Sequence, residues 1–196
     1  MRDTFNRMIG RTRYVVCRLF LHLGGSDVAP ILGVLNQTAR EAINADGDIE
    51  VLGEELAQLC QTLLQYDEYW LSAANEGDVL WDEGETGNYV NELFTDSAQR
   101  YGANLDFSST SSNQPLSLPA TRNVIVMIIV ATEGEIPELE TDLANIPALK
   151  EALKALINLH YKHKLRAIQV HFSPAQLGDD LSSDQLLEYY PELIPL

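Results

Sequence analysis

The chain has 196 residues, an apolar fraction of 45% and a formal net charge of −16. That length and apolar content suit one folded domain with a substantial core. The charge argues against a nucleic-acid binder, which needs clustered Lys and Arg to displace phosphate counterions. Charge is also unevenly spread. No Lys or Arg lies between Arg40 and Arg100, whereas Glu41 to Asp96 supplies about half of the carboxylates. This reads as a solvated acidic face or a docking surface. Residues 2–18 and 150–166 carry the basic clusters. Cys17 and Cys60 sit far apart in apolar surroundings and are expected to be reduced core residues of a cytosol-like compartment. No apolar run is long enough to span a bilayer, and no secretory signal is visible.

Residues 1–13 form a basic arm with Phe5, Met8 and Ile9 at helical spacing. At most, such an arm makes peripheral contact with an anionic membrane surface. Residues 14–196 are read as a single α+β domain. Tyr14–Leu23 is the first strand: Val15, Cys17, Leu19, Leu21 and Leu23 share one face, and Arg18 and His22 make the other face mixed. Gly24-Gly25 breaks it, and Ser26 or Asp27 can cap a helix to about Ile43. The Gly24–Ser26 turn lacks the spacing of a phosphate loop, and Asn44–Asp48 lacks that of a calcium loop. Val51–Gln65 is an amphipathic helix, and Tyr66–Ala74 can form a strand.

Glu76–Gly87 is acidic and glycine-bearing, and is expected to be a solvated loop or hairpin turn. Asp78, Asp82, Glu83 and Glu85 could hold a hard cation there only if something fixed them in a cage. Asn88–Tyr101 reads as a short helix. The Ser- and Pro-rich stretch 106–121 reads as a linker or surface loop. Val124–Val130, inside Asn123–Gly134, is an unbroken and mostly β-branched apolar run. It is expected to be the central strand, buried on both faces.

A helix from about Pro147 to Tyr161, an alternating strand Leu165–Phe172 stopped by Pro174, and a Ser-capped helix Asp184–Tyr190 complete the pattern. The apolar end Pro191–Leu196 is expected to pack on the core. The fold class is α+β, with helices packed on a small mixed or antiparallel sheet of about three to four strands.

Candidate chemistry is sparse. His160 and His163 lie three apart at a helix end, and His171 is on the next strand. Convergence of the three would make a metal site, although no HExxH spacing or carboxylate partner accompanies them. Glu133 and Glu135 follow the apolar strand, where ligand sites often form. No serine sits in a nucleophile elbow. No catalytic residue and no cofactor is expected.

Three blocks carry a resemblance: GEELAQLCQTLLQYDEYW (Gly53–Trp70), IVMIIVATEG (Ile125–Gly134) and SSDQLLEYYPELIPL (Ser182–Leu196). In this order they resemble a domain-of-unknown-function family of cyanobacteria and plant chloroplasts, which includes the plant fluctuating-light acclimation protein. The resemblance spans about residues 14–196. It supplies no catalytic residues. It implies a non-enzymatic protein of a cyanobacterial cytoplasm that acts by protein–protein contact in photosynthetic regulation, acclimation or assembly. Its partner would be photosynthetic or thylakoid-associated, and its place could be peripheral to the thylakoid membrane. Longer members carry a membrane segment and a glycine-rich stretch that this sequence does not show. The alternative is a metal- or small-molecule-binding enzyme using His160, His163 and His171.

Overall fold

The computed structural model describes residues 10–105, 121–176 and 178–196, with the backbone alone for 101–105. The N-terminal arm before Gly10 and the Ser/Pro-rich stretch 106–120 lie outside the described residues. Among the described residues, one antiparallel sheet of five strands runs in the order β4-β3-β1-β2-β5. The strands are β1 (Tyr14–Gly24), β2 (Trp70–Leu80), β3 (Asn123–Glu133), β4 (Leu165–Ser173) and the two-residue β5 (Ile194–Pro195). Five α-helices accompany it among the described residues: α1 (Ala29–Asn44), α2 (Ile49–Gln65), α3 (Glu83–Leu105), α4 (Ile146–Tyr161) and α5 (Ser183–Tyr189).

The sheet is covered on both faces, so the inner strands read as apolar almost throughout. Odd residues of β1 and even residues of β3 (Val124, Val126, Ile128, Val130) pack against α1, α2 and α4 in the main core. The opposite face divides in two. Phe20, Ile125 and Met127 pack under Leu181 and Tyr190 of the C-terminal segment. Val16, Ile129 and Ala131 pack under Val90 and Leu93 of α3. Full burial of each such large side chain contributes about 1.5–3 kcal/mol, so the two faces together supply most of the driving force.

The structure refines the expected elements. The 123–134 run is buried on both faces and interior, but the middle strand is β1, paired with β2 and β3 along its whole length. The five strands exceed the three to four expected because the C-terminal tail adds β5, pairing Ile194 with Ala73 and Pro195 with Ser72. The second strand extends to Leu80, six residues beyond the expected Ala74. The third helix starts at Glu83 rather than Asn88. The acidic segment 76–87 is therefore the end of a strand and the start of a helix. Asp82 joins the two, accepting at Oδ1 from the Glu85 amide at 3.0 Å.

Neither Ser26 nor Asp27 caps α1, which begins after Val28 with Pro30 in its first turn. The remaining helix starts follow their sequence signals. Asp48 accepts from the Glu50 amide at α2, and Asn145 accepts from the Ala148 amide at α4. Ser182 and Gln185 form a reciprocal capping box at α5.

Candidate functional site

The histidines do not converge. His160 lies on α4, where it meets α2; a Cβ added to Gly53 would sit 2.5 Å from its Nδ1. His163 follows α4 in a left-handed conformation (φ 53), its Nδ1 2.9 Å from Glu50 Oε1. His171 is on β4 opposite Met127, on the other side of the sheet, with its ring 5.0 Å from that of Phe94. Among the described residues no cluster of three or more His, Cys, Asp or Glu is arranged to hold a metal ion. Glu133 is engaged by Arg166 Nε at 2.7 Å, and Glu135 is exposed. Asp78, Asp82, Glu83 and Glu85 are spread along the end of β2 and the first turn of α3, all exposed.

The densest polar constellation centres on Arg18. Strand alternation turns its side chain to the α3 face, and only 3% of the residue is exposed. Its Nε donates to Glu76 Oε1 at 2.7 Å, and its Nη2 pairs with the same oxygen. Its Nη1 pairs with Asp96 Oδ2 and donates to Ser97 Oγ at 3.0 Å and to the Leu93 carbonyl at 3.2 Å. Phe20 places its ring 4.7 Å from the guanidinium carbon. Arg100 extends the network, donating to Asp96 at 3.0 Å and to the Tyr189 carbonyl at 2.9 Å and pairing with Glu192.

Arg18, Phe20, Glu76, Asp96, Arg100 and Glu192 line a cleft of about 450 Å³. Burial would raise the Asp96 carboxyl, but hydrogen bonds and charge from Arg18 and Arg100 outweigh it and hold the group below the usual range. Arg18 is thus neutralised by partners within the chain. The network ties β1, β2, α3 and the C-terminal segment together, and its arginines are already engaged rather than waiting for an anion.

The sheet's two edges differ. The β2 edge is partly covered by β5, whereas among the described residues β4 pairs only with β3. Outside that ladder, the backbone of residues 166–172 makes no hydrogen bond with another described residue. Along this edge runs an apolar groove of about 210 Å³. Leu35, Thr38 and Ala42 of α1 and Leu52, Glu55 and Leu56 of α2 form one wall, and Phe94 of α3 stands on the other side. Ile168, Val170 and Phe172, which face α1 and α2, line it together with Gln169 and His171, which face α3. Only an opening along the strand's edge touches both sets. Gln169 Oε1 and His171 Nε2 are buried without a hydrogen-bond partner among the described residues. Burial, then the charge of Arg18, lowers the His171 pKa, so the ring favours its neutral form.

Sequence reasoning found neither feature. An arginine inside YVVCRLFLHL was the visible signal for the first, but its partners lie 58 and 78 residues away. The apolar face of LRAIQVHF was legible for the second, but not its position at the sheet's edge.

Together these features define a two-sided α+β sheet protein in which, among the described residues, one edge strand is left open beside an apolar groove. The family described as "Protein of unknown function (DUF1517)" matches residues 13–196. The chain belongs to that family. No curated protein and no solved structure matches it. None of its described helices is long and apolar enough to cross a membrane.

Proposed function

We propose that this protein acts by protein–protein contact, in photosynthetic regulation, acclimation or assembly, in a cyanobacterial cytoplasm or at the thylakoid surface. The observation that carries the contact role is the β4 edge, to which no other described strand pairs, with its apolar groove. Edge strands are normally shortened, charged or covered, because an open one pairs with whatever strand it meets. Here nine residues of edge strand, half-buried along most of their length, border a groove walled by α1, α2 and α3. A groove of this kind offers area and backbone hydrogen bonds. Its lining is mostly apolar, with Glu55 and His171 as its ionisable side chains. The photosynthetic setting rests on the resemblance of the three sequence blocks. The acidic surface supports a partner carrying basic residues.

The test is an affinity pull-down of the tagged protein from a cyanobacterial host, with membrane and soluble fractions analysed separately by mass spectrometry. Reproducible enrichment of photosystem, phycobilisome or thylakoid subunits is expected. A deletion strain with normal photosynthesis under steady and fluctuating light, together with no recoverable partner, would overturn the reading.

A further inference from the structure

We infer that β4 receives its partner by strand addition: an extended apolar segment of another protein, carrying at least one Lys or Arg, pairs along the β4 edge with its cation against Glu55. This rests on the contact reading above and names the surface and the chemistry of the occupant.

Three observations carry it. First, the edge is chemically competent. In an antiparallel ladder every second residue turns its N–H and C=O away from the paired neighbour, and residues 166–172 spend none of these groups on other described parts of the chain. Second, the groove runs along that edge and touches both sides of the strand, so a segment lying in it meets backbone and side-chain pockets together.

Third, the charge selects the occupant. Glu55 is half-buried in the groove wall, and its carboxylate forms no hydrogen bond or ion pair with another described residue. From Glu41 through α2 and along α3 to Gln99 the chain has no cation. Arg40 on α1 donates to the Asn36 carbonyl of its own helix, Arg166 on β4 to Glu133, and Arg18, whose charge reaches His171, is paired with Glu76 and Asp96. A second copy of this chain would bring another net charge of −16 to the same place and has no free cation in β4 to offer Glu55. Self-pairing is therefore disfavoured, and a basic, apolar strand is favoured.

The probe is a displayed library of random peptides of about ten residues, enough to span a strand, selected on the immobilised full chain. Selected peptides are expected to alternate apolar residues and to contain Lys or Arg. Glu55→Lys on α2 should weaken them at least tenfold, and Phe94→Ala should weaken them severalfold. Both substitutions sit at half-buried or exposed helix positions, and thermal unfolding checks that the variants fold. N-methylation of alternate peptide amides should abolish binding in one register and spare it in the other. Amide hydrogen exchange should slow at alternate residues of 166–172 when peptide is bound.

Peptides that bind the wild type, Glu55→Lys and Phe94→Ala chains equally, or that protect a different segment, would overturn the β4 assignment and leave the contact reading standing. A library that yields no binder would overturn strand addition, while the pull-down judges the contact reading separately. Concentration-dependent dimers that protect 166–172 without peptide would replace the partner with a second copy.

Discussion

Deleting the Arg18 ion pairs from opposite ends should have unequal consequences. The guanidinium side of each pair is 4% exposed, whereas the side chains of Glu76 and Asp96 are 45% and 42% exposed. Arg18→Met removes the buried charge and leaves two carboxylates that water can reach. Asp96 also keeps Arg100 at 3.0 Å. The new thioether is apolar and of similar reach, and the group left short of a partner is the fully buried Ser97 hydroxyl. One such orphan costs about 1–3 kcal/mol, and apolar burial of the methionine offsets part of it, so a net loss of about 1 kcal/mol is expected. Glu76→Gln/Asp96→Asn removes the same ion pairs but strands the charge in the interior, where an unpaired ion costs about 3–5 kcal/mol. Neutral amide oxygens recover some of that, so about 3 kcal/mol is expected.

The double variant should thus unfold more easily than Arg18→Met by about 2 kcal/mol. Equilibrium urea unfolding at pH 7 reads this directly, with unchanged slopes confirming that midpoints report stability. The global charge acts the other way: the double variant moves the net charge toward zero, and Arg18→Met moves it further from zero, so self-repulsion cannot mimic the result. Arg18→Met proving as destabilising as the double variant would refute the reasoning and make the arginine's own packing the dominant contribution.

Three further outcomes are expected. Gly77 lies opposite Cys17, and a Cβ there would sit 2.1 Å from the Val16 carbonyl oxygen; Gly77→Ala should cost at least about 1–3 kcal/mol in the same urea assay. Cys17 is pushed up to about 12 by burial and then by the charge of Glu76, and burial raises Cys60 as well; both thiols should react with an aromatic disulfide reagent only as fast as the chain unfolds. Burial lowers the pKa of both His22 and His171 below the unfolded value near 6.5. The unfolded chain then binds more protons, so stability is fully present above about pH 6.5 and is lost as pH falls through the lower folded values. His171→Phe should flatten that loss, seen by comparing urea midpoints at about pH 7.5 and pH 5.5.

The legible parts of the fold were those whose signal is local. The β-branched run of β3, the alternation of β4, the leucine spacing of α2 and α4 and the Ser182 cap all act within a few residues. The end of β2 was not legible, because Asn75-Glu76-Gly77-Asp78 has the composition of a turn. It is a strand because β1 holds it: Glu76 sits opposite Arg18 and ion-pairs with it, and Gly77 lets the two backbones approach. The start of α3 was hidden for a related reason, since Gly84 and Gly87 are poor helix formers and Asp82 compensates by capping. β5 has two residues and is defined wholly by its partner. The candidate histidines were adjacent in sequence terms, but a strand's two faces divide what an alternating pattern brings close, and His171 fell on the side away from α4.

The buried network and the open edge are one construction. Arg18 donates to the Leu93 carbonyl, and the next residue, Phe94, forms the far wall of the β4 groove. Asp96 and Ser97, one turn on, also receive Arg18. The middle strand of the sheet therefore fixes the height and rotation of α3 through polar contacts, and α3 in turn sets the width of the groove at the edge, two strands away. Purely apolar contacts under α3 would leave it freer to slide, because dispersion is less directional than hydrogen bonds. Arg18→Met, though mild in its effect on global stability, should accordingly loosen the groove. Hydrogen exchange in α3 around Leu93–Ser97 should speed up in that variant, while the β1–β3 ladder stays as protected as in the wild type. Equal protection of α3 in both chains would show that packing alone positions Phe94, and that the charge cluster serves the fold without shaping the edge.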